Sequence, residues 1–173
     1  MYVSDPIIGA IEVADNVEMA KIIRSGLAEY GADRPGFAWT DPQVDSLSDA
    51  YEGTNTAYWV AREPNGKLLG GCGIAPLAGL PIVGELQKMY LLPEARGRGV
   101  GRRLLEQALN FSWDHYSWCY LETLSTMADA ARLYQRAGFM RLPQPLGNSG
   151  HHSCDHWYLL AAESARKVLS YEA

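Results

Sequence analysis

A single stretch, Glu85 to Leu105 (ELQKMYLLPEARGRGVGRRLL), limits what this chain can fold into more than any other. It runs from strand-like residues through a Gly/Arg-dense turn directly into an amphipathic helix. Main-chain N–H groups at a helix start have no intrahelical acceptor, and the helix dipole adds partial positive charge there. An anion, above all a pyrophosphate, is the guest such a turn suits. Gly97, Gly99 and Gly101 let the backbone come close to that anion and take conformations that a Cβ penalises. Arg96, Arg98, Arg102 and Arg103 place four cations within eight residues, and guanidinium forks match phosphate oxygens. An ordinary strand-to-helix turn and a solvated helix face are the plain alternatives; strand, turn, charge and helix together favour a phosphate cradle.

Other phosphate motifs do not fit. The stretch lacks the Lys-Ser/Thr ending of a P-loop, and the third glycine of a dinucleotide G-x-G-x-x-G would fall where Arg102 stands. An RGG-type nucleic-acid segment is repeated and disordered, whereas this one occurs once and enters a patterned helix. The formal charge of −5 also disfavours a general nucleic-acid or membrane-surface role, so the anion is caught locally. At 173 residues, the chain is long enough for one well-buried domain and too short to argue for two. No apolar run approaches the ~20 residues of a membrane helix. The start MYVSDPII has no basic n-region followed by an apolar one, and Cys72, Cys119 and Cys154 lie far apart. A cytoplasmic protein without a disulfide framework is the expectation.

Strands and helices alternate along the sequence. Ile7 to Val13 reads as a strand, followed by a helix capped at Asp15 or Asn16, with apolar positions Met19, Ala20, Ile23, Leu27 and Tyr30 and a stop at Gly31. Residues 32–55 read as a long surface connection with a short helix near 45–51, placed to shape an entrance. Tyr58 to Arg62 and Leu68 to Ile74 flank PNGK, where Asn65 and Gly66 are expected to supply the two positive-φ residues of a tight hairpin. Val83 to Leu91 is the next strand. The helix after the glycines gathers Val100, Leu104, Leu105, Ala108, Phe111 and Ser112 on one face, which fits a helix lying on a sheet. Trp118 to Thr123, Met127 to Ala137, Phe139 to Leu142 and Trp157 to Leu160 read as strand, helix, strand and strand, and 162–173 as a tail able to form a helix.

Arg96, Gly99 and Gly101 match the spacing Q/R-x-x-G-x-G/A between a strand and a helix, and ARLYQRAGF (131–139) follows about 30 residues later. Together these blocks resemble the GNAT superfamily of N-acetyltransferases, and ELQKMY, LETL and GNSGHHSC resemble a bacterial branch of it. The resemblance covers about 7–161 of a single domain spanning 1–173. It implies an α/β fold with a mixed, largely antiparallel central sheet flanked by helices. It also implies that coenzyme A, with its pyrophosphate and 3′-phosphate, occupies the cradle formed by Arg96, Gly97, Arg98, Gly99, Val100, Gly101 and Arg102.

Further expectations follow from the same likeness. The strand carrying Met89, Tyr90 and Leu91 would lie beside the pantetheine arm, and its main-chain N–H would stabilise the oxyanion of the tetrahedral intermediate. Tyr134 stands at the family's tyrosine position, where a phenol protonates the departing thiolate; a core tyrosine with a satisfied hydroxyl is the alternative. Met127 stands where the family often has asparagine, so the usual side-chain contact to the arm is not expected. Glu85 stands where several members carry a carboxylate that takes the amine's proton or acts as its counter-ion, against the alternative of a solvated strand-edge glutamate. Homodimers are common in the family.

The segment Gly147 to Tyr158 crowds His151, His152, Cys154, Asp155 and His156. One hexapeptide does not provide a tetrahedral zinc set, so no metal is expected. A loop bordering the acceptor pocket, with His151 or His152 relaying a proton, is preferred to an acyl-enzyme on Cys154. Trp39, Tyr51, Tyr58 and Trp59, with Asp41 and Asp45, frame a cationic small molecule or else fill the core. The expected activity is transfer of an acetyl group from acetyl-CoA directly to a primary amine of a small molecule. A silent acyl-CoA sensor, and an O- or S-acyltransferase using the same donor site, are the rivals.

Overall fold

The computed structural model describes residues 5–162. The expected tail helix lies outside them apart from Ala162. The described chain forms one seven-stranded sheet in the order β1-β2-β3-β4-β5-β7-β6. Its strands are β1 Ile7–Ala10, β2 Ala57–Arg62, β3 Leu68–Leu77, β4 Leu80–Leu91, β5 Trp118–Thr123, β6 Met140–Leu142 and β7 His156–Ala161. Every neighbouring pair is antiparallel except β4 with β5. The helices are α1 Asn16–Glu29, α2 Leu47–Ala50, α3 Val100–His115 and α4 Ala128–Arg136. This is the mixed, largely antiparallel sheet that the motif pair implies.

The sheet is covered on both faces because alternate residues of its strands belong to two apolar clusters. Trp59 and Ala61 of β2 join Leu104, Leu105 and Ala108 of α3 and Tyr134 of α4. Tyr58 and Val60 face the opposite way, onto Met19, Ile23 and Leu27 of α1 and Leu47 of α2. The buried face of α3 is Val100, Gly101, Leu104, Leu105, Ala108 and Ser112, close to the stripe read from its periodicity, with Phe111 at its half-buried margin.

Several boundaries differ from the sequence reading, each for a local reason. β1 stops at Ala10 instead of Val13, because Glu12 and Asp15 form a reciprocal capping box that opens a 3-10 turn at Val13–Asp15. In the β2–β3 hairpin only Gly66 has positive φ, at 90°; Asn65 does not. Pro64 presets the first corner of a type I turn, so Asn65 sits at the second corner and Gly66 takes the left-handed position after it. The turn is tied by Gly66 N to Glu63 O at 2.8 Å and by Asn65 Oδ1, which accepts from Lys67 N at 3.1 Å. β3 and β4 extend to Leu77 and Leu80, meeting at a tight turn where Gly79 has φ 84°.

Two features of β4 shape everything that follows. First, it pairs with β5 only over Val83–Glu85 against Trp118–Tyr120, after which the parallel strands part and leave a cleft between them. Second, its register against β3 jumps from Gly73↔Gln87 to Gly71↔Tyr90, an inserted residue that marks a β-bulge. Lys88 sits in that bulge with φ 49°, alone among the described non-glycine residues in the left-handed region. Bulges and strained backbone gather where a strand re-aims groups for function.

The bulge is braced by tyrosines that need a glycine opposite them. Tyr58 donates to the Lys88 carbonyl at 2.8 Å, and Tyr51 to Gln87 Oε1 at 2.6 Å. A Cβ on Gly73 would stand 2.6 Å from Tyr51 Cε1 and 2.7 Å from Tyr58 Cδ2. With both rings pinned by their hydroxyls, Gly73→Ala is expected to destabilise the fold by ~1–3 kcal/mol as over-packing does. Denaturant unfolding checks this, and an unshifted midpoint would show that the rings move aside freely.

Candidate active site

The turn between β4 and α3 has the open geometry that its glycines suggest. Gly97 and Gly99 have φ 72° and 78°, and a Cβ built on either would meet no atom within 4 Å. Arg96 N still bonds back to Pro93 O, and Arg103 N opens the helical ladder on Gly99 O. Between them, the N–H groups of Gly97 through Arg102 find no acceptor among the described residues. Gly101 acts differently: a Cβ there would come 3.2 Å from Leu91 Cδ1, so this glycine lets α3 settle close to β4.

The arginines are all engaged by protein groups. Arg96 makes a bidentate pair with Glu29 at 2.7 and 2.6 Å and reaches the Leu91 carbonyl at 3.2 Å. Arg98 pairs with Glu63 at 2.9 Å, Arg102 with Glu106 at 2.9 Å one helical turn on, and Arg103 donates to Pro6 O at 2.7 Å. Such exposed pairs are worth ~0–1 kcal/mol each. They compete only weakly with a multiply charged phosphate.

The parted strands border a cleft lined by Glu85 to Tyr90 of β4, Leu121 to Thr123 of β5, Tyr134 of α4, and His151 and Cys154. Lys88 and Met89 have no ladder partner on β3. Tyr134 is 6% exposed, packed edge-on to Phe139, and its hydroxyl has one hydrogen-bond partner among the described residues, the soft sulfur of Met89 at 3.9 Å. Burial, with the nearby Cys72, Cys119 and Tyr158, pushes this phenol well above its usual range, so it stays protonated. Met127 lines the same cleft and its sulfur accepts from Thr123 Oγ1 at 3.4 Å. Tyr90 is half-buried against α1, where a Cβ on Gly26 would lie 2.6 Å from its ring.

The far end of the cleft is polar and organised by residues from separate segments. Glu85 is 3% exposed, inside β4 and not at its start, so it is a buried carboxylate and not a solvated one. Gln87 Nε2 donates to its Oε2 at 2.6 Å, while Tyr51 fixes the other end of that amide. Burial raises the Glu85 carboxyl above the usual range, aided by Glu122 and opposed by Gln87, His151 and Lys88. Lys88, its side chain 2% exposed, places Nζ 2.9 Å from Asp41 Oδ2. His151 Nε2 lies 3.1 Å from that same oxygen. A second, polar chamber adjoins the cleft, lined by Asp41, Gln43, Glu85, Gln87, Lys88, Ser149 and His151 among others.

Other candidates fall elsewhere. His152 is exposed, beside Gly36, and lines neither space. Tyr58 and Trp59 are core residues, and Asp45 pairs with Arg24 at 2.6 Å on the surface. Burial pushes the Cys154 thiol up to about 12, with Glu122, Asp155 and Glu85 adding to it, so it is not a ready thiolate. Among the described residues no group of histidine, cysteine or acidic side chains is arranged to hold a metal ion. Sequence reasoning passed over Lys88, Gln87 and the pairing of Asp41 with His151. A lysine within a strand otherwise destined for burial was the available signal.

Comparison with known proteins agrees with this geometry. The acetyltransferase (GNAT) domain family matches residues 54–141. An uncharacterized N-acetyltransferase of Escherichia coli, YjgM, is 40% identical over 157 residues, which cover 87% of this chain and 91% of the relative. A GNAT-family acetyltransferase structure from Staphylococcus aureus superposes with a TM-score of 0.76 at 17% identity, covering 91% of this chain and 99% of that one. The structure of yncA from Salmonella typhimurium with its cofactor acetyl-CoA gives 0.72 at 18% identity, covering 92% and 95%.

Proposed function

This chain belongs to the GNAT family of N-acetyltransferases, and we propose that it passes an acetyl group from acetyl-CoA directly to the primary amine of a small molecule. The observation that carries the reading is the run of N–H groups from Gly97 to Arg102 without acceptors among the described residues, on the turn that follows β4, where Gly101 lies beside Met89 of the cleft lining. Those groups, at a helix N-terminus, bind the pyrophosphate of the donor. The pantetheine arm then follows Met89, Tyr90 and Leu91 towards Tyr134, with a main-chain N–H of the bulge, where Lys88 and Met89 have no ladder partner on β3, turned to the thioester oxygen. Direct attack needs both substrates held together, so binding energy goes into bringing the amine against the acyl carbon.

Two side chains then divide the remaining work. Tyr134 gives its proton to the departing thiolate; the weak contact to Met89 leaves its hydroxyl free to do so. Glu85 receives the acceptor ammonium as counter-ion and hydrogen-bond acceptor, held in place through Gln87 and Tyr51. The chamber beyond Glu85 is lined by amides, a hydroxyl and paired charges, which suits a small polar amine.

Thiol release from acetyl-CoA over a panel of amines, amino acids and polyamines tests the proposal. Glu85→Gln, nearly isosteric, is expected to lower kcat/KM about 10- to 100-fold, mainly through the amine KM, as loss of a charge-assisted hydrogen bond of ~1.5–3 kcal/mol requires. Donor affinity is expected to stay unchanged. Tight donor binding with no turnover on any amine would point to a sensor instead, and turnover on hydroxyls or thiols alone to an O- or S-acyltransferase.

A further inference from the structure

We propose that His151 Nδ1 is the proton acceptor for the attacking amine, and that Asp41, clamped by Lys88, is the positioning residue that makes it one. The proposal rests on the amine-acetylation reading of this cleft and assigns a task that Glu85, as counter-ion, leaves open.

Asp41 Oδ2 takes Lys88 Nζ at 2.9 Å and His151 Nε2 at 3.1 Å. Burial by itself pushes the Asp41 carboxyl up, but the His151 hydrogen bond and the Lys88 charge outweigh it and hold it below the usual carboxylate range. An ionised carboxylate only accepts, so Nε2 must carry the hydrogen. In the neutral ring Nδ1 is then the lone-pair nitrogen. That nitrogen has no protein partner among the described residues, and the residue lines both the cleft and the outer polar chamber.

The clamp is costly, which is why it reads as functional. Lys88 is buried, sits at φ 49° in the bulge, and is the residue around which β4 loses register with β3. Asp41 comes from the 32–55 connection and caps a 3-10 turn at Pro42–Asp45, while His151 comes from the loop before β7. Three segments meet on one oxygen in the chamber beside the reaction cleft, with Lys88 and His151 lining both spaces. The charged groups facing His151 are Asp41, Glu85 and Lys88. Burial pulls its imidazole down and Lys88 adds to that, yet the Asp41 bond and charge, with Glu85, leave it above its ordinary value.

The proton count closes. The acceptor ammonium gives one proton to Nδ1, forming imidazolium and a free amine. The amine lone pair makes the C–N bond, and the tetrahedral intermediate collapses as the C–S electron pair leaves on sulfur. Tyr134 protonates that sulfur, the second nitrogen proton restores the phenol, and imidazolium returns its proton to water. One proton is released per turnover.

Two measurements decide the matter. Long-range 1H–15N spectra of histidine-labelled protein across pH are expected to show neutral His151 as the Nε2–H tautomer, with an ionisation above the ordinary imidazole range that moves down in Asp41→Asn. In thiol-release assays with the amines turned over by the parent, His151→Gln is expected to lower kcat about 100-fold with the amine KM and donor affinity unchanged. The basic form must be free to accept, so the rate rises with pH through the His151 ionisation, and Asp41→Asn moves that limb to lower pH. His151→Gln leaves the Lys88–Asp41 pair intact and carries the test if Asp41→Asn does not fold. An Nδ1–H tautomer, an ionisation indifferent to Asp41→Asn, or full activity in His151→Gln overturns the proposal while amine acetylation stands. A parent that acetylates no amine removes the reading beneath it, and the acceptor role with it.

Discussion

Tyr134→Phe is expected to slow thiol release from acetyl-CoA by about 10²- to 10³-fold while leaving donor binding and fold intact, the range of a lost general acid. The substitution removes one oxygen whose one hydrogen-bond partner among the described residues is the Met89 sulfur at 3.9 Å, so no strong buried partner is orphaned. The ring keeps its packing against Phe139 and Tyr158, with centroids 5.9 and 6.1 Å away. A structural tyrosine would give the opposite pattern, with a lowered thermal midpoint and little change in rate. Steady-state kinetics on a saturating amine, beside a thermal melt, separates the two. A variant as active as its parent would mean that water or another group protonates the thiolate.

The other large effect belongs to the cradle. Gly99 holds φ 78° at the residue before α3, and open space surrounds its Cα. Gly99→Val brings two changes: a β-branched residue in the left-handed region, costing ~1–3 kcal/mol of strain, and methyl groups in the space meant for the pyrophosphate. Affinity for acetyl-CoA is expected to fall at least about 100-fold, equivalent to ~2.7 kcal/mol. Calorimetric titration reads this directly, with unfolding measured alongside to account for strain. Unchanged affinity in a folded Gly99→Val would place the donor elsewhere.

What the sequence made legible was governed by the range of the interactions involved. The buried stripe of α3, the turn before it and the strand Trp118–Thr123 follow from local periodicity and local glycine chemistry, and each stands where it was read. Asn65 failed because Pro64, its neighbour, sets the turn one residue earlier than an Asn-Gly pair alone suggests. The mixed sheet was legible only through the motif pair, since no local pattern dictates that β4 and β5 part after Glu85. Placement of the polar groups was least accessible. Lys88, Asp41 and His151 are separated by long stretches of chain and meet through the bulge, a turn cap and a loop. His151 and His152 are adjacent in sequence, yet only one lines the cleft. The four cradle arginines read as free phosphate ligands, whereas tertiary contacts give Arg96 and Arg98 acidic partners on α1 and the β2–β3 turn.

Everything proposed for the donor depends on consecutive main-chain hydrogens gripping one diphosphate. Two-dimensional 1H–15N spectra of the uniformly labelled protein, titrated with coenzyme A, observe those hydrogens individually. The expected result is saturable binding in which the amides of Gly97 to Arg102 shift furthest, and downfield, as they acquire acceptors. Saturable binding that leaves those signals in place, or no binding at all, would contradict it.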